Sequence, residues 1–279
     1  VTEENVYRKP VLKSDLSGKD GTAKQLSAEQ QAVVDAISQD YSQGISQTYL
    51  LRGITGSGKT EVYMALIERM IAGGKQAIVL IPEIALTYQT LLRFYLRFGD
   101  RVSVMNSRLS PGERSDQYER AAKGEIDIMI GPRSALFTPF ERLGLVIIDE
   151  EHESSYKSET MPKFHAREVA QELCRMKHAS LLLGSATPSL ESYYRARQGE
   201  IPLFTLNSRL TGGELPKVYI EDLREELKSG NRSIFSRRLQ QLLEDRLAKG
   251  QQSILFLNRR GYAGFVSCRA CGHVMKCPH

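Results

Sequence analysis

The run Gly53-Ile54-Thr55-Gly56-Ser57-Gly58-Lys59-Thr60 sets an amine and a hydroxyl at the end of a glycine-spaced loop. That is the chemistry of phosphate binding. Gly56 and Gly58 let the backbone curl so that successive N–H groups, those of Gly53, Thr55, Gly56, Ser57 and Gly58 among them, turn toward phosphate oxygens, and a helix starting at Lys59 adds its dipole. Lys59 would neutralise the β/γ-phosphates of a nucleoside triphosphate, and the Thr60 hydroxyl would bind Mg2+. The complement of such a loop is a carboxylate at the end of a neighbouring strand. Leu145-Val146-Ile147-Ile148 runs straight into Asp149-Glu150-Glu151-His152. Asp149 would hold Mg2+ through water, and Glu150 would activate the attacking water. A glycine turn ending by chance in Lys-Thr, or a solvated acidic loop, would explain either run alone. The two together predict hydrolysis of a nucleoside triphosphate.

Cysteines suggest a second chemistry. Cys174 lies alone in a helical pattern, whereas Cys268, Cys271 and Cys277 crowd the last dozen residues. Cys268-x-x-Cys271 places two thiolates on one tight turn, half of a tetrahedral Zn2+ site, and Cys277 would open a second pair. A disulfide framework would spread its cysteines, so ligation of Zn2+ in a reducing cytoplasm fits better; free thiols in a tail are the plain alternative.

These residues need a scaffold that brings strand ends together. Continuous apolar runs at Tyr49–Leu51, Ala77–Ile81, Val102–Met105, Ile126–Ile130, Leu145–Ile148 and Ser180–Leu183 alternate with helical patterns. Runs unbroken by polar residues belong to a parallel sheet covered on both faces by helices. Ser27 is placed to cap a first helix, Thr60–Ala72 reads as a helix ended by two glycines, and another runs from beyond Pro82 to Phe98. Ser110-Pro111-Gly112-Glu113 has the form of a capping box with proline in the first turn. Past Asn207 the character changes: Thr211–Pro216 is turn-rich, Ser236 can cap a helix to Ala248, and Ser253–Leu257 reads as a further strand. The expected organisation is a linker or domain tail over 1–24, an α/β nucleotide-binding lobe over 25–207, a connector and the start of a second lobe over 208–258, and the start of a Cys-rich zinc module over 259–279.

The 279 residues carry net charge +5, with 41% hydrophobic and 25% charged residues. This is an ordinary soluble composition, weakly favourable to polyanions. No apolar run reaches the roughly 18–20 residues of a membrane span. No secretory signal is evident, and the absence of an initiator Met suggests a start further upstream.

The order of motifs narrows the class. Asp149-Glu150-Glu151-His152 and Gly184-Ser185-Ala186-Thr187-Pro188 resemble the DEAD/DEAH box and SAT motif of superfamily-2 helicases. Together with GITGSGKTEVY, LIPEIALT, GPRSALF, DEEHESSYK, PKFHAR and FLNRRG, they resemble the PriA family of bacterial replication-restart helicases from about Leu26 to His279. The resemblance implies a RecA-like P-loop NTPase lobe using ATP. Gln30 would read adenine; Thr87, Arg133 and Ser134 would line a track for single-stranded DNA. Tyr156 and Phe164 would offer stacking faces in an aromatic-rich loop, with Lys157 and Lys163 for phosphates. His152 and Thr187 would couple the ATP site to the DNA track. Tyr88, Asn106 and Pro132 depart from the family's usual Pro, His and Thr.

The implied activity is ATP-driven 3′→5′ movement on DNA at stalled forks during primosome assembly. The implied partners are single-stranded and forked DNA, other primosome proteins and single-strand-binding proteins, with no membrane. An arginine completing the ATP site is expected beyond His279, so this chain alone should turn nucleotide over poorly. An RNA or duplex remodeller, and a zinc-dependent scaffold with a regulatory nucleotide site, are the competing readings.

Overall fold

The computed structural model describes residues 25–209, 216–256, 266–267 and 273–275. Helix α1 (Ala28–Ser42) begins where Ser27 and Gln30 exchange side-chain and backbone hydrogen bonds in a full capping box. Then β1 (Thr48–Gly53) leads into the glycine loop, α2 (Lys59–Ala72) ends at Gly73, and β2 (Gln76–Leu80) stops before Pro82. Helix α3 (Tyr88–Phe98) starts later than Pro82, because residues 82–87 fold into turns and the Thr87 hydroxyl supplies the cap, accepting from the Thr90 N–H. Beyond β3 (Val102–Val104), the Ser110–Glu113 capping box opens α4 (Pro111–Ala122), as the sequence predicts. There follow β4 (Ile128–Gly131), β5 (Leu143–Asp149), α5 (Ala166–Lys177), β6 (Ser180–Ser185), α6 (Leu190–Arg197) and β7 (Leu203–Leu206).

The seven strands form one sheet in the order β3-β4-β2-β5-β6-β1-β7, every pair parallel. Successive strand residues face opposite layers. Tyr49, Leu51, Val79 and Ile147 join the core under α1, α2 and α3, while Leu50, Ile78, Leu80, Val146 and Ile148 join the core under α5 and α6. This is the predicted sheet covered on both faces, and it sends the carboxyl ends of all seven strands to one edge.

Chain contacts divide the molecule at Gly213/Glu214 into two units. In the second, α7 (Leu223–Lys228) precedes α8 (Arg237–Ala248), which Ser236 caps as predicted. Two short strands, β8 (Val266–Ser267) and β9 (Val274–Met275), pair antiparallel. The predicted strand at Ser253–Leu257 is not formed over residues 253–256, and Leu257 lies outside the described residues. Ile254 and Phe256 are instead 94% and 84% exposed. An apolar run becomes a strand only where a neighbour offers a ladder, and no such neighbour is paired with it among the described residues. Conversely β7 escaped the sequence reading, since Leu-Phe-Thr-Leu is too short to declare a period.

Candidate active site

At that edge the loop after β1 and the acidic end of β5 meet. Gly56 and Gly58 hold φ of +83° and +80°, the left-handed region that a side chain would strain, and Gly58 caps α2 in that conformation. A Cβ on Gly53 would lie 2.6 Å from the Ser57 Oγ and 3.0 Å from the Lys59 Cγ, so only a residue without a side chain lets these two pack against the loop backbone. Ser57 Oγ is buried without a hydrogen-bond partner. Lys59 Nζ donates to the Gly53 carbonyl at 3.0 Å and lies 3.8 Å from a Glu150 oxygen. The loop therefore offers an unused buried hydroxyl and a primary amine beside a carboxylate. A polyphosphate with a hard cation fits this set, since Thr60 and Asp149 offer the oxygen donors Mg2+ prefers.

Asp149 ends β5, and burial pushes its carboxyl above the usual carboxylate range, opposed by the Tyr63 hydroxyl that donates to Oδ1 at 2.9 Å. Glu150 follows with φ +46°, a conformation uncommon for a side-chain-bearing residue. Its carboxylate reaches toward Lys59 and lies 3.7 Å from the His152 Nδ1. His152 in turn bonds the Ser185 Oγ at 2.8 Å, and that hydroxyl accepts from the Thr187 N–H at 3.0 Å. The acidic box is thus linked to the Ser-Ala-Thr strand end through Ser185, with the Thr187 backbone joining in and its side chain exposed.

Glu151 is a residue the sequence reading passed over. Its side chain is 0% exposed and forms an ion pair with the Arg167 Nη1 at 2.9 Å. It also accepts from the Ser189 N–H at 2.6 Å, the Ser189 hydroxyl at 3.1 Å and the Ser192 hydroxyl at 3.0 Å. One buried carboxylate pins the acidic box to α5 and α6. Four consecutive polar residues after an apolar strand gave no sign of which one turns inward.

Gln30, expected at adenine, has both ends of its amide engaged. Oε1 accepts from the Ser27 N–H and Nε2 donates to the Ser57 carbonyl, each at 2.8 Å. It braces the phosphate loop from α1.

The same sheet edge carries a polar cleft beyond β2, β3 and β4. A hollow of about 280 Å3 is lined by Glu83, Asn106, Arg133, Ser134 and Ser155, among others, and a neighbouring one of about 570 Å3 by Glu83, Thr87, Tyr88 and Asn106. Arg133 and Ser134 line the first hollow and Thr87 the second, and the departures Tyr88, Asn106 and Pro132 also line these walls. Arg133 Nη1 donates to the carbonyls of Ser155 and Lys157, tying this wall to the following loop.

Tyr156 is not a stacking face: it is 1% exposed, and its hydroxyl donates to the carbonyls of Leu80 at 3.1 Å and Asp149 at 2.6 Å. A ring beside a buried strand end is worth more as core than as surface, and its hydroxyl finds two strand carbonyls. Phe164 is half-buried and packs edge-on against Phe137 at 5.4 Å. Phe137, more than half exposed, is an aromatic the sequence reading did not single out. Lys157 and Lys163 are exposed. Cys268, Cys271 and Cys277 lie outside the described residues, and no cluster of metal-binding side chains occurs among the described ones. No described helix is long and apolar enough to cross a membrane.

Comparison with known proteins agrees with this geometry. The DEAD/DEAH box helicase family matches residues 27–196. The replication restart protein PriA of Bacillus subtilis is 49% identical over 276 residues, covering 99% of this chain and 34% of that protein. PriA of Synechocystis sp. is 49% identical over 242 residues, covering 85% and 29%. The chain thus spans about a third of the length of these relatives. Among solved structures, RecG bound to a three-way DNA junction superposes with a TM-score of 0.51 at 23% identity, covering 75% of this chain and 29% of RecG, a likeness of fold.

Proposed function

This chain belongs to the DEAD/DEAH box helicase family, and from that premise we propose that it is the ATP-binding lobe of a 3′→5′ DNA helicase acting at stalled forks in replication restart. The observation that carries the reading is the convergence of Lys59, Asp149 and Glu150 at a sheet edge that also bears the polar cleft. Relatives named replication restart protein PriA support the setting; primosome and single-strand-binding proteins as partners, and the cytoplasm as the place, belong to the same proposal.

Lys59 and the loop amides would hold the phosphates, with Thr60 and Asp149 binding Mg2+, which when bound neutralises charge on the phosphoryl oxygens. Glu150 would accept the proton of the attacking water at its carboxylate, while His152 and Ser185 hold the box against the Ser-Ala-Thr strand end. Thr87, Ser134 and the exposed Lys157 and Lys163 would contact DNA phosphates without reading sequence. Gln30 would reach adenine only by exchanging its present bonds. Zn2+ held by Cys268, Cys271 and Cys277 remains part of the proposal, supported by the thiolate spacing and by the β8–β9 pairing on either side of Cys268 and Cys271.

The test is ATP hydrolysis by the full-length protein with and without single-stranded or forked DNA, beside its Lys59→Ala variant. Strong stimulation by DNA, lost in Lys59→Ala, is expected. Equal turnover with and without DNA would leave only a nucleotide hydrolase, and stimulation by RNA alone would favour a remodeller.

A further inference from the structure

Tyr63 is the fourth residue after Lys59, on the second turn of α2, and it has no part in holding phosphate. Its ring is fully buried and its hydroxyl donates to the Asp149 Oδ1 at 2.9 Å. In the sheet, Asp149 stands opposite Gly184. A Cβ on Gly184 would lie 1.8 Å from the Tyr63 Oη and 2.8 Å from its Cζ. No such contact is tolerable, so the tyrosine reaches the carboxylate through space that any other residue at 184 would fill. A core that needed only a ring there would be served by phenylalanine. A buried hydroxyl is costly unless it finds a partner, and here the partner is the acid at the strand end.

We propose that Tyr63 is the positioning residue for the Asp149 carboxylate: its hydroxyl fixes Oδ1 and leaves Oδ2 to the hydration shell of Mg2+. The inference rests on Asp149 being the Mg2+ carboxylate. The donor's chemistry suits the task. A lysine or arginine would fix the same oxygen but bring a charge that competes with the cation, whereas a neutral hydroxyl orients the acid and leaves its charge available. Tyr156 complements it from the other side, bonding the Asp149 main-chain carbonyl at 2.6 Å.

The experiment is a Mg2+ titration of the full-length protein and its Tyr63→Phe variant, reading the binding of a fluorescent ATP analogue and, separately, hydrolysis. Losing one hydrogen bond to a charged group should raise the half-saturating Mg2+ about five- to tenfold. Analogue binding in EDTA should stay unchanged, which general damage to the loop would not allow. Gly184→Ala, which drives the hydroxyl away, should reproduce the shift. Unchanged Mg2+ dependence in folded Tyr63→Phe overturns the inference, as does equal weakening with and without Mg2+. Asp149→Asn separates the two levels. If it too leaves Mg2+ dependence intact, the reading of Asp149 falls; if it abolishes that dependence while Tyr63→Phe does not, only the role of Tyr63 falls.

Discussion

His165 caps α5 with an imidazole nitrogen, Nδ1 accepting from the Arg167 N–H at 3.2 Å. Only the neutral ring has that lone pair, and burial, then the Arg167 charge, holds its pKa below 6.5. For a base whose folded pKa is depressed, the contribution to stability is complete above the unfolded value and is lost as pH falls through the folded one. The thermal midpoint of the protein should therefore drop below pH about 6.5 more steeply than that of His165→Asn, whose amide oxygen keeps the cap without titrating. Parallel profiles from pH 5 to 8 would remove His165 as the source. At this scale, what was legible in the sequence was whatever is local. Lys59, Thr60, Asp149 and Glu150 announce themselves by spacing. Tyr63, Gln30 and Tyr156 do not, because their partners lie 86, 27 and 76 residues away and nothing in a single residue's type names a distant partner.

Elements are held to one another by a few buried charges. Glu151 binds the end of β5 to α5 and α6, and removing it would leave Arg167 uncompensated in a mostly buried setting. Glu151→Ala should cost about 3 kcal/mol in chemical denaturation, with Glu151→Gln losing less because its amide oxygen still accepts. A cost below about 1 kcal/mol would mean that Ser189 and Ser192 satisfy the arginine alone. A second brace joins α2 to α3, where Glu61 accepts from Arg93 at 2.6 Å and Arg97 at 3.3 Å, and Arg97 also grips Glu68. Six of the seven sheet strands could be read from their apolar runs because parallel strands are buried on both faces. The seventh, β7, is an edge strand with three of its four residues only half-buried. The Ser253–Leu257 run failed in the opposite sense over residues 253–256, having apolar composition without a strand partner among the described residues. Apolarity reports that burial is wanted, not that a partner is there.

At the scale of the whole sheet, the carboxyl edge has two ends: β1, β5 and β6 lead into the glycine loop, the acidic box and the Ser-Ala-Thr turn, while β2, β3 and β4 carry the cleft. With net charge +5 and exposed Lys157 and Lys163, binding to DNA should rest on phosphates. Affinity for single strands should then fall steeply between 50 and 200 mM salt, as counterion release requires, with base sequence mattering little. A salt-independent affinity would argue against this.

Ile254, Leu255 and Phe256 stand in the open, with exposures of 94%, 52% and 84%. Backbone of this apolar kind, with no ladder beside it among the described residues, is an adhesive strip, ready to zip onto the same strip of another copy. Solutions of this chain should cloud as concentration rises, and charged substitutions at Ile254 and Phe256 should keep them clear in light scattering without touching the ATP site.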